Sequence, residues 1–208
     1  MQKRISYLAL GDSYTIGESV DPPDNFPNQV ARILKHANLN TDPPRIIAKT
    51  GWTTDELMHG INEEEKHQTI PTDYDIVSLL IGVNNQYRGR SIEEYKTDFE
   101  KLLKQAISFA GNKQEHVIVL SIPDWAVTPF AANSNREKVA REIDQFNEAN
   151  REIAERYHIY YIDVTGWTRE AASDESLLAK DGLHPSAKEY HRWAEAVSLR
   201  IRELGIGR

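Results

Sequence analysis

Five short apolar runs rich in β-branched residues recur along this chain: Ile5 to Leu10, Arg45 to Lys49, Tyr74 to Ile81, His116 to Ile122 and Ile159 to Val164. Most are continuous rather than alternating, the pattern of strands buried on both faces. Helical patterns separate them. Phe26 to Ala37 carries Val30, Ile33 and Leu34 on one face, and Thr54 to Glu65 is a weaker helix interrupted by Gly60. The stretch from Ser91 places Tyr95, Phe99, Leu102, Leu103 and Ile107 at helical spacing. Asn135 to Tyr157 aligns Val139, Ile143, Phe146, Asn150 and Ile153, and a last helix after Pro185 shows Tyr190, Trp193, Ala194, Val197 and Ile201. Capping boxes, Ser91 to Glu94 and Ser186 to Glu189, mark two helix starts. Strands buried on both faces need helices on both sides, so the expected class is α/β, a parallel sheet covered by helices. The 208 residues suit one domain, 1-208, with loops at Asp21 to Pro27 and Asp42 to Pro44.

Composition narrows the function classes. With 39% hydrophobic and 27% charged residues the chain is an ordinary globule rather than a disordered one. A formal net charge of -7 argues against nucleic acid as a partner, because phosphate-backbone binders carry a basic face. Without cysteine there is no disulfide, thiolate metal site or cysteine nucleophile. Lys3 and Arg4 precede an apolar stretch, but Ile5 to Leu10 is shorter than the roughly 7 to 15 residues of a signal core. The expectation is mature sequence, a cytoplasmic location and no membrane span. Nothing in the sequence bears on oligomeric state.

Position gives the polar residues their interest. In open α/β sheets ligands sit beyond the carboxyl ends of the strands. Ser13 follows the first run in a Gly11-Asp12-Ser13 turn, Gly51 and Trp52 follow the second, Asn84 and Asn85 the third, Asp124 and Trp125 the fourth. Thr165 to Asp181 and His184 follow the fifth as a loop. Acyl transfer needs a nucleophile, a base, a group that fixes the base, and donors for an oxyanion. Ser13 supplies a hydroxyl, His184 a base, Asp181 a partner for its Nδ1 proton. The Ser13 N–H, the Gly51 backbone and the Asn84 amide are candidate donors. A turn, a helix cap or a strand-to-helix corner would use the same residue types.

The chain resembles the SGNH, or GDSL, hydrolase family, whose four motif blocks it matches in order: Gly11-Asp12-Ser13, Gly51, Gly82-Val83-Asn84-Asn85, and Asp181-Gly182-Leu183-His184. The resemblance implies a flavodoxin-like three-layer α/β/α sandwich. It also implies catalytic Ser13, Asp181 and His184, and an oxyanion hole of Ser13, Gly51 and Asn84. Esters or thioesters would be hydrolysed with no metal and no cofactor. The third block departs from the family's Gly-x-Asn-Asp, since Asn85 stands where the acid is usual; this puts the local hydrogen bonding in question.

Trp52, Trp125 and Phe130 are candidates for lining an acyl pocket, against ordinary loop packing. His191 lacks a third ligand at fitting spacing, so it is expected to be a surface or packed histidine, and Glu63, Glu64 and Glu65 a solvated helix end. The expected partner is a small-molecule ester, either a short-chain or lysophospholipid-type substrate or an O-acetylated carbohydrate. A competing class is a non-catalytic module that binds a phosphate group at Ser13 to Gly17, as a flavodoxin does. That class leaves Asp181 and His184 without a task. Specificity is expected in the loops Glu18 to Pro27, Gln86 to Arg90 and Asp124 to Asn135.

Overall fold

The computed structural model describes residues 4–207. Lys3 of the N-terminal stretch lies outside the described residues. Strands β1 (Tyr7–Gly11), β2 (Arg45–Ala48), β3 (Ile76–Leu80), β4 (Val117–Leu120) and β5 (Tyr160–Ile162) form a parallel sheet in the order β2-β1-β3-β4-β5. The helices are α1 (Ser13–Ile16), α2 (Phe26–His36), α3 (Thr54–His67), α4 (Val83–Tyr87), α5 (Ile92–Phe109), α6 (Arg136–Arg156), α7 (Thr165–Arg169) and α8 (Ala187–Glu203). One layer pairs α2 with α8; in the other α5 lies between α3 and α6. Right-handed crossovers that leave β1 in opposite directions require this division into two layers. The result is a flavodoxin-like three-layer sandwich.

The strand order sets the place of the site. From β1 the chain crosses to β2 on one side and then returns past β1 to β3 on the other. Connections therefore diverge between the carboxyl ends of β1 and β3, and a crevice is left there. Gly11 stands at that point, paired with Ala48 and Leu80. A Cβ on Gly11 would lie 2.4 Å from the Leu80 carbonyl oxygen and 2.1 Å from Thr15 Oγ1. The close approach lets α1 begin two residues after the strand ends.

Several local expectations change. β1 starts at Tyr7, because Ile5 is drawn into a bridge with Thr41 and the Ser6 N–H and hydroxyl donate to Asp75 Oδ2. Helix α3 runs through Gly60 to His67 without a break. The glycine there is a packing requirement: its Cβ would fall 2.1 Å from the Trp52 ring. The stretch Thr165 to Asp181, expected as a loop, contains α7 and two 3-10 turns, pieces too short to show a period in sequence. Ser91 and Ser186 accept from the Glu94 and Glu189 N–H groups, but Glu94 turns its carboxylate to Arg90 and Glu189 to Arg192 and Trp193. A reciprocal bond appears elsewhere, from the Thr53 N–H to Glu56 at 2.9 Å. Among the described residues no helix is long and apolar enough to cross a membrane.

Gly11→Ala forces a methyl group against backbone that cannot yield. The substitution is expected to cost about 1–3 kcal/mol of stability, read as a lower urea midpoint.

Candidate active site

The turn after β1 is built around an acid. Asp12 caps α1, its Oδ1 accepting the Tyr14 N–H at 3.0 Å, which leaves Ser13 as the first helical residue. His184 Nε2 lies 3.0 Å from Ser13 Oγ, and its Nδ1 lies 2.6 Å from Asp181 Oδ2. With the proton on Nδ1, Nε2 is left as an acceptor for the Ser13 hydroxyl. The spacing of acid and base is held by backbone: Asp181 Oδ1 accepts the N–H groups of Leu183 and His184, each at 3.0 Å. Ser19 donates its hydroxyl to Asp181 Oδ2 at 2.8 Å. Partial burial raises the acidity threshold of Asp181, but donors from the His184 ring, the Leu183 and His184 N–H groups and Ser19 outweigh it and hold the pKa at about 2. The carboxylate is ionised at neutral pH. The Tyr14 ring, 5.1 Å from the imidazole, closes one side of His184.

Ser13, Gly51, Asn84 and His184 line one cavity of about 150 Å³, open to solvent. Gly51 adopts φ 84°, a conformation that favours glycine, and its carbonyl is gripped by Arg88 Nη2 at 2.5 Å. Arg88 also pairs with Glu56 at 3.1 Å, so the turn after β2 is tied to α3. Asn84 Nδ2 donates to the Trp52 carbonyl at 3.0 Å, which fixes the amide and leaves its second N–H for the cavity. Among the described residues no hydrogen bond engages the Ser13 N–H.

Trp125 and Phe130 stand in the cavity wall with Tyr87, the three rings 5.5 to 6.1 Å apart. Trp125 is fixed by its Nε1 donating to Gln86, which donates in turn to Glu142 of α6. The Phe130 N–H reaches the Gly182 carbonyl and so ties this wall to the Asp181–His184 turn. Trp52 is not among the lining residues. Its ring is drawn onto Gly60 instead, because the bare backbone of α3 offers it a flat apolar seat. Beyond Tyr87 and Trp125 lies a second hollow of about 470 Å³, with Gln86, Asn135, Lys138 and Glu142 in its walls.

Asn85 answers the question that its substitution raised: its Oδ1 accepts the Thr54 N–H at 3.1 Å and its Nδ2 donates to Thr54 Oγ1 at 2.8 Å. From α4 it thus satisfies the first residue of α3. His191 hydrogen-bonds Gln29 on α2, and Glu63 pairs with Lys66 on the exposed face of α3. Sequence reasoning put Tyr87, Arg88 and Ser19 inside loops expected to set specificity but gave none of them a role of its own. Tyr87 and Arg88 follow Asn84 at i+3 and i+4, a spacing that puts them beside it on a helix. Ser19 had no such signal.

Asp12 is wholly buried, and Oδ2 has no hydrogen-bond partner among the described residues. Burial pushes its pKa up to about 7 against the opposing pull of the Tyr14 N–H. An unfolded aspartate ionises near 3.8, so between pH 4 and 7 the folded state keeps a proton that the unfolded state loses. Stability from this group is therefore present at low pH and declines as pH rises through that window. Asp12→Asn retains the acceptor for Tyr14 and removes the titration. Its stability relative to the parent is expected to grow by up to roughly 1.4 kcal/mol per pH unit between about pH 4 and 7, measured as urea midpoints.

The geometry has relatives. An Enterococcus faecalis lipase/acylhydrolase superposes with a TM-score of 0.72 at 20% identity, covering 96% of each chain. An acetylxylan esterase from Geobacillus stearothermophilus gives 0.70 at 20% identity, covering 97% of this chain and 96% of that one. A lipase from a goat rumen metagenome gives 0.72 at 21% identity, covering 98% and 99%. These likenesses establish the fold. Comparison with curated protein sequences finds no match. The model of the GDSL-like lipase/acylhydrolase family matches residues 9–192, a span that contains every block from Gly11 to His184, and the chain belongs to that family.

Proposed function

We propose that this protein is a serine hydrolase that cleaves carboxylic esters with short acyl groups through an acyl-enzyme. The observation that carries the proposal is the unbroken chain of hydrogen bonds from Ser13 through His184 to Asp181. His184 takes the Ser13 proton as Oγ bonds to the ester carbonyl carbon, and the carbonyl π electrons move onto oxygen. The Ser13 and Gly51 N–H groups and the free Asn84 amide hydrogen receive that charge, each worth about 3–4 kcal/mol in the transition state. Collapse breaks the bond to the alcohol oxygen, and His184 returns its proton to the leaving group. A water molecule, deprotonated by His184, then releases the acid and restores Ser13. Asp181 holds the tautomer and faces the imidazolium. No step calls on a metal or cofactor.

The cavity supports the choice of a short acyl group, since about 150 Å³ is on the order of the space that holds one benzene molecule. The second hollow favours a further reading, an O-acetylated carbohydrate as substrate. Its polar walls would suit a hydroxylated alcohol, and one structural neighbour is an acetylxylan esterase.

Ser13→Ala is expected to lose at least about 10³-fold in turnover of p-nitrophenyl acetate and all labelling by a fluorophosphonate probe. Unchanged turnover would sink the proposal. Tyr87, exposed in the wall shared by the two hollows, sets the acyl limit. Tyr87→Ala should raise kcat/KM for hexanoyl over acetyl esters by about 3- to 10-fold, and an unchanged chain-length series would contradict that role.

A further inference from the structure

We infer that Ser19 is a positioning residue of the hydrolytic site, a side-chain donor that fixes the carboxylate of Asp181. The inference rests on the roles proposed above for Ser13, His184 and Asp181. Its first support is backbone. Ser19 holds φ 66°, one of four non-glycine residues with positive φ among those described. The other three are Asn38, Asn112 and His158, each just past the end of a long helix and of a type that tolerates this conformation. A serine has no such preference and persists there only where its surroundings determine it.

Those surroundings are built on both sides. The Ser13 carbonyl accepts the N–H groups of Gly17 and Glu18 at 3.1 and 3.0 Å. Gly17 lies so close to Asn25 that a Cβ would approach its side chain to 2.4 Å. The Glu18 carboxylate accepts the Thr50 hydroxyl, and Val20 packs against the core. Ser19 is the exposed point of this pinned segment, and its hydroxyl is aimed across the chain at Asp181.

The bonds close a ring. Ser13 Oγ meets His184, His184 meets Asp181, Asp181 receives Ser19, and the backbone of residues 13–19 returns to Ser13. Asp181 Oδ2 thus has two donors, one of which, His184, moves a proton during the reaction. Removing Ser19 leaves a more basic carboxylate that holds the imidazolium more tightly. The ionisable groups that sense Asp181 from the elements around it are His184, Tyr14 and Tyr190, with Glu18 acting on Tyr190 as well. Apart from His184 itself, none of these groups is a cation, so none replaces the Ser19 donor.

The test separates the hydroxyl from the shape of the turn. Ser19→Gly suits the left-handed backbone and lacks the donor; Ser19→Asn tolerates that backbone and carries an amide donor. With p-nitrophenyl acetate, Ser19→Gly is expected to lower kcat about 3- to 10-fold with KM little changed. The acid limb of its kcat/KM profile should move to higher pH, and Ser19→Asn should recover most of both. Thermal midpoints of both variants verify that each is folded. Wild-type rates and limb in Ser19→Gly, or equal losses in both variants, overturn the inference. Full activity in Ser13→Ala overturns the underlying assignment of the site; loss there with no effect in Ser19→Gly overturns the role of Ser19 alone.

Discussion

No side chain fits at position 11, and the arrangement of the site follows from that exclusion. Gly11 is enclosed by the Leu80 carbonyl on one side and Thr15 on the other, at the end of a strand with neighbours on both edges. The missing Cβ lets the chain turn from β1 into α1 within two residues. Asp12 must then lie inside the protein, where it caps the helix at the cost of burying a carboxyl group. Ser13 is the first residue to reach the crevice. Gly51, Asn84 and His184 reach the same crevice because parallel strands all end on one side of the sheet.

Rigidity behind that crevice comes from buried amides and hydroxyls. Ser121 Oγ accepts from the Val164 and Thr165 N–H groups, and Asn147 of α6 bonds both backbone groups of Ile122 and the Thr165 hydroxyl. Asn150, one turn along, joins Tyr95 to Tyr161. Such a network tolerates few alternatives, because each broken bond leaves a polar group without water. It fixes the ends of β4 and β5. The same helix supplies Glu142, which holds Gln86 and through it Trp125, so one element supports both the loops and the aromatic wall.

The sheet, its parallel order and the covering helices were legible because burial on both faces leaves a continuous apolar run that a sequence displays directly. The polar residues at the strand ends were legible for a related reason: in this topology, rank along the chain already implies position in space. What could not be read depends on one or two contacts. Gly60 looked like a helix break, because nothing in sequence shows that Trp52 comes to rest on it. The same contact takes Trp52 out of the cavity wall. The bond from Ser19 to Asp181 was invisible, although its loop was singled out, because the partner lies 162 positions away and the backbone conformation is unusual for serine.

Asn85 shows why a departure from a motif need not weaken a site. The position must satisfy Thr54 twice, by accepting from its N–H and by bonding its hydroxyl. A carboxylate could do this only by accepting from both, and it would bring a buried negative charge. Burial raises the pKa of Tyr14, and the nearby carboxyl groups of Asp12, Asp181 and Asp124 add to that rise. Three carboxyl groups therefore already lie at this end of the sheet before any contribution from position 85. An amide offers one acceptor and two donors without charge, so it fills the role and adds nothing to the repulsion. The neighbouring Asn84 amide keeps its bond to Trp52 either way. Electrostatic load, more than geometry, is what the acid at this position would change.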